Sequence, residues 1–190
     1  MNQKSVWQGW HGTSVLSGNQ IIGTTFRISQ GGKDWLGDGA YFFVEDQGVS
    51  DPEEKAAEWA ISRSGFVRGS KYSNFSVLLA EVEVENFLDF DDPAHIVALN
   101  KLKQEYIAVL MSKGRRPTDD MMTDRCNFCN YLFDEHEVEA MFRREYIKTS
   151  QEDLDYGFNG GVPNCRIMSV RNPAASVRKI DYAIERRSIR

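Results

Sequence analysis

The chain has 190 residues, 41% of them hydrophobic and 27% charged, which suffices for one substantial core and does not call for a second domain. That composition excludes wholesale disorder and low complexity. A formal net charge of −5 excludes a protein coated in basic surface, though it leaves room for a local basic groove. One domain spanning 1–190 is therefore expected. No apolar run reaches the length of a membrane span, and the opening MNQKSVWQGW lacks the apolar centre of a secretion signal, so a cytoplasmic location is expected. Three cysteines, Cys126, Cys129 and Cys165, leave an odd thiol under any pairing, and all are expected to be reduced.

Short strand signals dominate the first third. SVWQGWHGT is β-branched and aromatic and stops at Gly12; NQIIGTTFRIS leads into the glycine-rich loop QGGKDWLGDG, and AYFFV is the next strand. DPEEKAAEWAISRSG carries helix signals in order: Asp51 caps, Pro52 opens, Glu54 meets the positive end and Gly65 stops it. Ala56, Ala57, Ala60 and Ile61 are its expected inner face. SVLLAEVEVENFLDF alternates Ala80, Val82 and Val84 with Glu81, Glu83 and Glu85, so it is a strand with one face toward water.

Asp92 and Pro93 open a second helix with Ile96, Leu99, Leu102, Tyr106 and Leu110 near helical spacing and Gly114 as terminator. A third helix is expected over about Asp120 to Asp134, then a strand in VEAMFRREYI and a long loop in TSQEDLDYGFNGGVPN. RIMSV and SVRKIDYAIE, joined by RNPAA, predict a terminal hairpin, with RRSIR frayed. There is no internal repeat.

The chemistry sits in two segments. His11, Gly12 and Thr13 lie on an early strand, and thirty residues after His11 the glycine-flanked Tyr41 opens a strand in GDGAYFF, followed by the alanine-rich helix containing EWA. In this order and spacing the chain resembles the ADP-ribosyltransferases of the histidine and tyrosine type, the branch that includes poly-ADP-ribose polymerases and diphtheria toxin. It looks more specifically like small bacterial and phage-associated members that read HGTS, then WLGDGxYFF, then VRNP. The resemblance implies an α+β, split β-sheet fold, with helices packed around two small antiparallel sheets. It also implies NAD as substrate, bound in a cleft, with transfer of its ADP-ribose to a macromolecular acceptor, protein or nucleic acid. A role as a toxin or anti-phage defence effector, with an antitoxin protein as partner, comes from the resemblance alone.

On that basis the expected catalytic residues are His11, Tyr41 and Arg166, and the expected NAD contacts are His11, Gly12, Thr13, Gly39, Tyr41 and Phe42. His11 would hydrogen-bond a ribose hydroxyl, and Gly12 would let backbone approach the carboxamide. Thr13 would fix the turn, Tyr41 would stack on nicotinamide, and Trp10, Trp35 and Phe42 would build an apolar wall. Relatives usually place a glutamate near the start of the strand before the closing turn. Here that position falls at about Arg166 or Ile167, neither a carboxylate, so either Glu137, Glu139 or Glu145 takes the role, or Arg166 contacts a phosphate, or the site is inactive. Loss of the acid in relatives favours single transfer over chain elongation.

Other readings stay open beside this one: an NAD glycohydrolase, a remover of terminal 2′-phosphate from RNA, and an ADP-ribose binding module without catalysis. Cys126 and Cys129 have the gap of a zinc knuckle, with His136 and Cys165 as further ligand candidates. DRCNFCNYLF also fits a buried helical stripe, and no metal is expected.

Overall fold

A computed structural model describes residues 4–66, 72–149, 155–156 and 161–189. Its seven strands form one sheet in the order β4-β5-β6-β2-β1-β3-β7. They are β1 (Ser5–Ser14), β2 (Ala40–Val44), β3 (Asn74–Val84), β4 (Phe87–Asp89), β5 (Ala140–Glu145), β6 (Cys165–Val170) and β7 (Val177–Ser188). All neighbouring strands run antiparallel except β4 and β5. The helices are α1 (Val15–Gly23), α2 (Pro52–Phe66), α3 (Pro93–Ser112), α4 (Met121–Glu135) and the single turn α5 (Pro173–Ser176). The mixed α+β class is as expected.

The expectation of two small sheets is corrected: the sheet is single. Its halves, β4-β5-β6-β2 and β1-β3-β7, are joined by only two residue pairs, Gly9 with Val44 and Trp10 with Phe43. By contrast β1 and β3 pair over their whole shared length, from Ser5 with Val84 to Ser14 with Phe75. The join is therefore the short ladder in a sheet otherwise well paired.

Side-chain alternation along the strands builds a core on each face. One face collects Phe43, Phe75, Val77, Met141, Cys165 and Ile167 beneath α2, α3 and α4. The other collects Phe42, Val44, Leu78, Ala80, Val82, Phe142 and Met168, together with Phe26. Glu81 is exposed, and Glu83 on the same side of β3 pairs with Lys4 and Arg178, as the alternating pattern predicts.

The capping signals act as read. Asp51 accepts from Glu53 and Glu54 N–H, Asp92 from Ala94 N–H, and Asp120 from Thr123 N–H. At the end of α3, Gly114 has φ +66, its N–H reaches the Met111 carbonyl and the Arg115 N–H reaches that of Leu110, the paired closure that a left-handed glycine permits. Within α2 the inner face holds Ala56, Ala57 and Ala60, but Ile61 is 41% exposed, against expectation.

Three further expectations fail. The strand signal in NQIIG belongs to α1, which Ser14 caps by accepting from Ser17 N–H. The terminal hairpin does not form: β6 lies between β5 and β2, whereas β7 pairs with β3 at the far edge, with β2, β1 and β3 standing between them. The end is not frayed through Ile189, since β7 reaches Ser188 and the Ile189 N–H donates to the Ser73 carbonyl. Most of the predicted long loop, residues 150–154 and 157–160, lies outside the described residues.

Candidate active site

The site forms where β1 and β2 part. The next antiparallel partner of His11 would be Phe42, yet the ladder stops at Trp10 and Phe43. His11 bridges the gap with its side chain instead, Nδ1 lying 2.8 Å from the Tyr41 carbonyl oxygen. A carbonyl only accepts, so Nδ1 carries the hydrogen, and in the neutral ring Nε2 is left as an acceptor. Burial holds the imidazole pKa below its ordinary 6.5, against the opposing pull of the Tyr41 carbonyl. The edges of Phe26 and Phe42, ring centroids 5.2 and 6.1 Å away, fix the ring from the second core.

Tyr41 comes from the other face, packed against the core that contains Phe43 and Ile167. Its hydroxyl is tied to the loop before it: it accepts from Leu36 N–H and donates to the Gly37 carbonyl, each at 2.7 Å. Burial pushes its pKa far above the usual phenol value, so it remains a neutral hydroxyl. What Tyr41 offers a ligand is therefore its ring. The loop that wraps it depends on two glycines. Gly37 has φ +73, and a Cβ there would stand 2.7 Å from Asn130 Oδ1; a Cβ on Gly39 would stand 2.2 Å from Ser169 Oγ.

His11 and Tyr41 line one cavity of about 340 Å³, within the range of small-molecule pockets. Trp10, Trp35 and Trp59 share its wall. Trp35 meets Tyr41 and Trp59 edge to face at 6.1 and 5.7 Å, and the Arg63 guanidinium lies 4.8 Å over the Trp59 ring. A larger recess of about 750 Å³ adjoins it, sharing His11, Gly12, Trp59 and Arg63 and extending along Thr13, Ser14 and Arg186. A third, of about 350 Å³, runs from His11 past Gln20 and Arg27. His11 thus stands where three recesses meet. Arg27, Arg63 and Arg186 line them without an ion pair to any described residue, so the surroundings suit an anion within an acidic protein.

Of the residues singled out from sequence, His11, Gly12, Gly39, Tyr41 and Phe42 line the smaller cavity, and Thr13 lines the larger recess beside it. Phe42 is 1% exposed and serves mainly the second core. Gly12 lets α2 lie directly on β1, because a Cβ there would sit 1.7 Å from the Ala56 carbonyl oxygen. Arg166 is placed elsewhere: it projects to the opposite face, pairs with Asp89 at 2.6 Å, and lines a separate groove with Trp7, Glu45 and Arg144. Its neighbour Ile167 lines the cavity.

Trp59, Arg63 and Asp34 also line the cavity, and no sequence motif marks them as site residues. Trp59 was visible as an aromatic one position away from the alanine face of α2, near enough in angle to reach the same strand. Asp34 carried no comparable signal, since a polar residue in a glycine-rich loop is ordinary.

Cys126 and Cys129 are buried on α4, and Cys165 is buried on β6. Burial pushes the Cys129 and Cys165 thiols up to about 12, so both stay protonated. Among the described residues Cys126 groups with Asp34 and Asp38, not with Cys129, His136 and Cys165. Also among the described residues, no helix is long and apolar enough to cross a membrane. No protein-family model and no curated protein matches the sequence.

Proposed function

We propose that this chain is an NAD-dependent mono-ADP-ribosyltransferase acting on an intracellular macromolecule, in the manner of a toxin or defence effector restrained by an antitoxin partner. The observation that carries the reading is the meeting of the His11 Nε2 acceptor and the Tyr41 ring on one aromatic cavity at the parting of β1 and β2. Nicotinamide fits such a wall of rings, with its carboxamide toward Gly12. A ribose hydroxyl would donate to His11 Nε2, and the diphosphate would take up Arg27, Arg63 or Arg186.

In this reading the bond between ribose C1′ and the nicotinamide nitrogen breaks, its electron pair neutralising the pyridinium. The acceptor nucleophile then attacks the cationic C1′ and loses a proton to water. Rigid placement by Tyr41 and His11 supplies the orientation that such a loose transition state needs. The apolar Ile167 beside the cavity favours, as a second reading, a module that binds ADP-ribose or NAD without cleaving it.

The two are separated by incubating the protein with NAD labelled in the adenine, together with cell lysate, and following free nicotinamide and macromolecule-bound label before and after protease or nuclease. Transferase activity predicts one nicotinamide released per single ADP-ribose bound, reduced roughly 100-fold or more in His11→Ala. Thermal stabilisation by NAD with no nicotinamide release contradicts it and leaves the binding module.

A further inference from the structure

At the strand position where the resemblance implies a carboxylate, the cavity has the apolar Ile167. Glu139 accepts from Glu85 and Asn86 N–H, Glu145 pairs with Arg125 and Arg143, and neither these nor Glu137 lines any of the three recesses at His11. One acid does. Among the described residues, Asp34 is the single carboxylate on any of the three, and it lines the aromatic cavity shared by His11 and Tyr41.

We propose that Asp34 is the catalytic carboxylate of this site, facing the cationic C1′ of the ribose as nicotinamide departs. The inference rests on the proposed transferase reading. Three features of Asp34 support it. Its oxygens are each anchored once within its own loop, Oδ1 accepting from Ser29 Oγ at 2.9 Å and Oδ2 from Gly31 N–H at 2.8 Å, which leaves acceptor capacity on each. It adjoins Trp35 in the loop that wraps the Tyr41 hydroxyl, so it is fixed to the same frame as the stacking ring. On the cavity wall, burial chiefly and the Asp34 charge in addition raise the pKa of the Tyr41 phenol.

A carboxylate in this place does for a developing cation what an oxyanion hole does for a developing anion, acting more strongly on the transition state than on bound NAD. It forms no bond to the sugar. The electron pair of the broken bond leaves with nicotinamide, and the proton of the incoming nucleophile goes to water.

The test compares kcat and KM for nicotinamide release in wild type, Asp34→Asn, Asp34→Ala and Ser29→Ala. Asp34→Asn is expected to lose roughly 10²- to 10³-fold in kcat with KM within a few-fold. Ser29→Ala, which removes one hydrogen bond but keeps the charge, is expected to lose less than about tenfold. Formate added to Asp34→Ala is expected to restore part of the rate, which a purely structural loop residue would not allow.

Wild-type release matched by Asp34→Asn overturns this inference and leaves the transferase reading standing, whereas no release by wild type removes that reading itself. If Asp34→Asn does not fold, Asp34→Ala with and without formate decides: a kcat lowered at unchanged KM and partly restored by formate is expected, and a wild-type kcat without formate overturns the proposal.

Discussion

His11 donates from Nδ1 to the Tyr41 carbonyl and keeps Nε2 as an acceptor, a division that only the neutral ring can make. Protonation would convert Nε2 to a donor facing a hydroxyl it should accept from. Because burial lowers the folded-state pKa below 6.5, the unfolded chain binds more protons between that lowered value and 6.5. The stabilising contribution is thus present above about pH 6.5 and is lost as pH falls through the folded pKa. Wild type should show an acid limb in kcat/KM with an apparent pKa below 6.5. It should also lose stability relative to His11→Gln as pH falls from 7 to 5; equal pH profiles for the two proteins would contradict the assignment. Both His11 and Tyr41 were legible in the sequence because each sits in a short motif whose neighbours, Gly12 and Gly39, have their own steric duty. Arg166 was not resolved from Ile167, since with a period of two a shift of one residue changes the face.

At the scale of elements, the site depends on α2 lying close enough to β1 for Trp59 and Arg63 to line the recesses that His11 borders. Gly12 sets that approach. Gly12→Ala should force α2 outward, cost about 1–3 kcal/mol in urea unfolding, and weaken NAD binding together with stability. Gly65 in the same helix has no atom within 4 Å of a built Cβ, so Gly65→Ala should be neutral or stabilise by up to about 1 kcal/mol. Wild-type stability in Gly12→Ala would mean that α2 is not held where it stands. Helix boundaries were legible because Asp51, Asp92, Asp120 and Gly114 act locally on the backbone beside them. Strand partners were not. RIMSV and SVRKIDYAIE are neighbours in sequence, yet their pairing is decided by which cores their alternate residues fill, and that is non-local. The helix α1 was hidden by Ile21 and Ile22, whose strand preference was overridden by the Ser14 cap and by packing, Gly18 being buried against Ser76 of β3.

For the whole molecule, the parting of β1 from β2 is the feature from which the functional reading grows. A sheet that is continuous through Trp10 and Phe43 and open beyond them yields a rigid slot without exposing an unpaired core, because His11 closes the gap with its own ring. Helices on one face and the Phe26 segment on the other then line the slot from both sides. The protein is acidic overall, yet Arg27, Arg63 and Arg186 gather around His11, so the charge that matters for an anionic ligand is local. The most direct test of the central claim is a crystal structure of the protein with nicotinamide bound. The account predicts the pyridine ring in the slot among Trp10, His11, Tyr41 and Trp59, within about 4 Å of the Tyr41 ring. A nicotinamide seated elsewhere, with that slot closed by its own side chains, would contradict it.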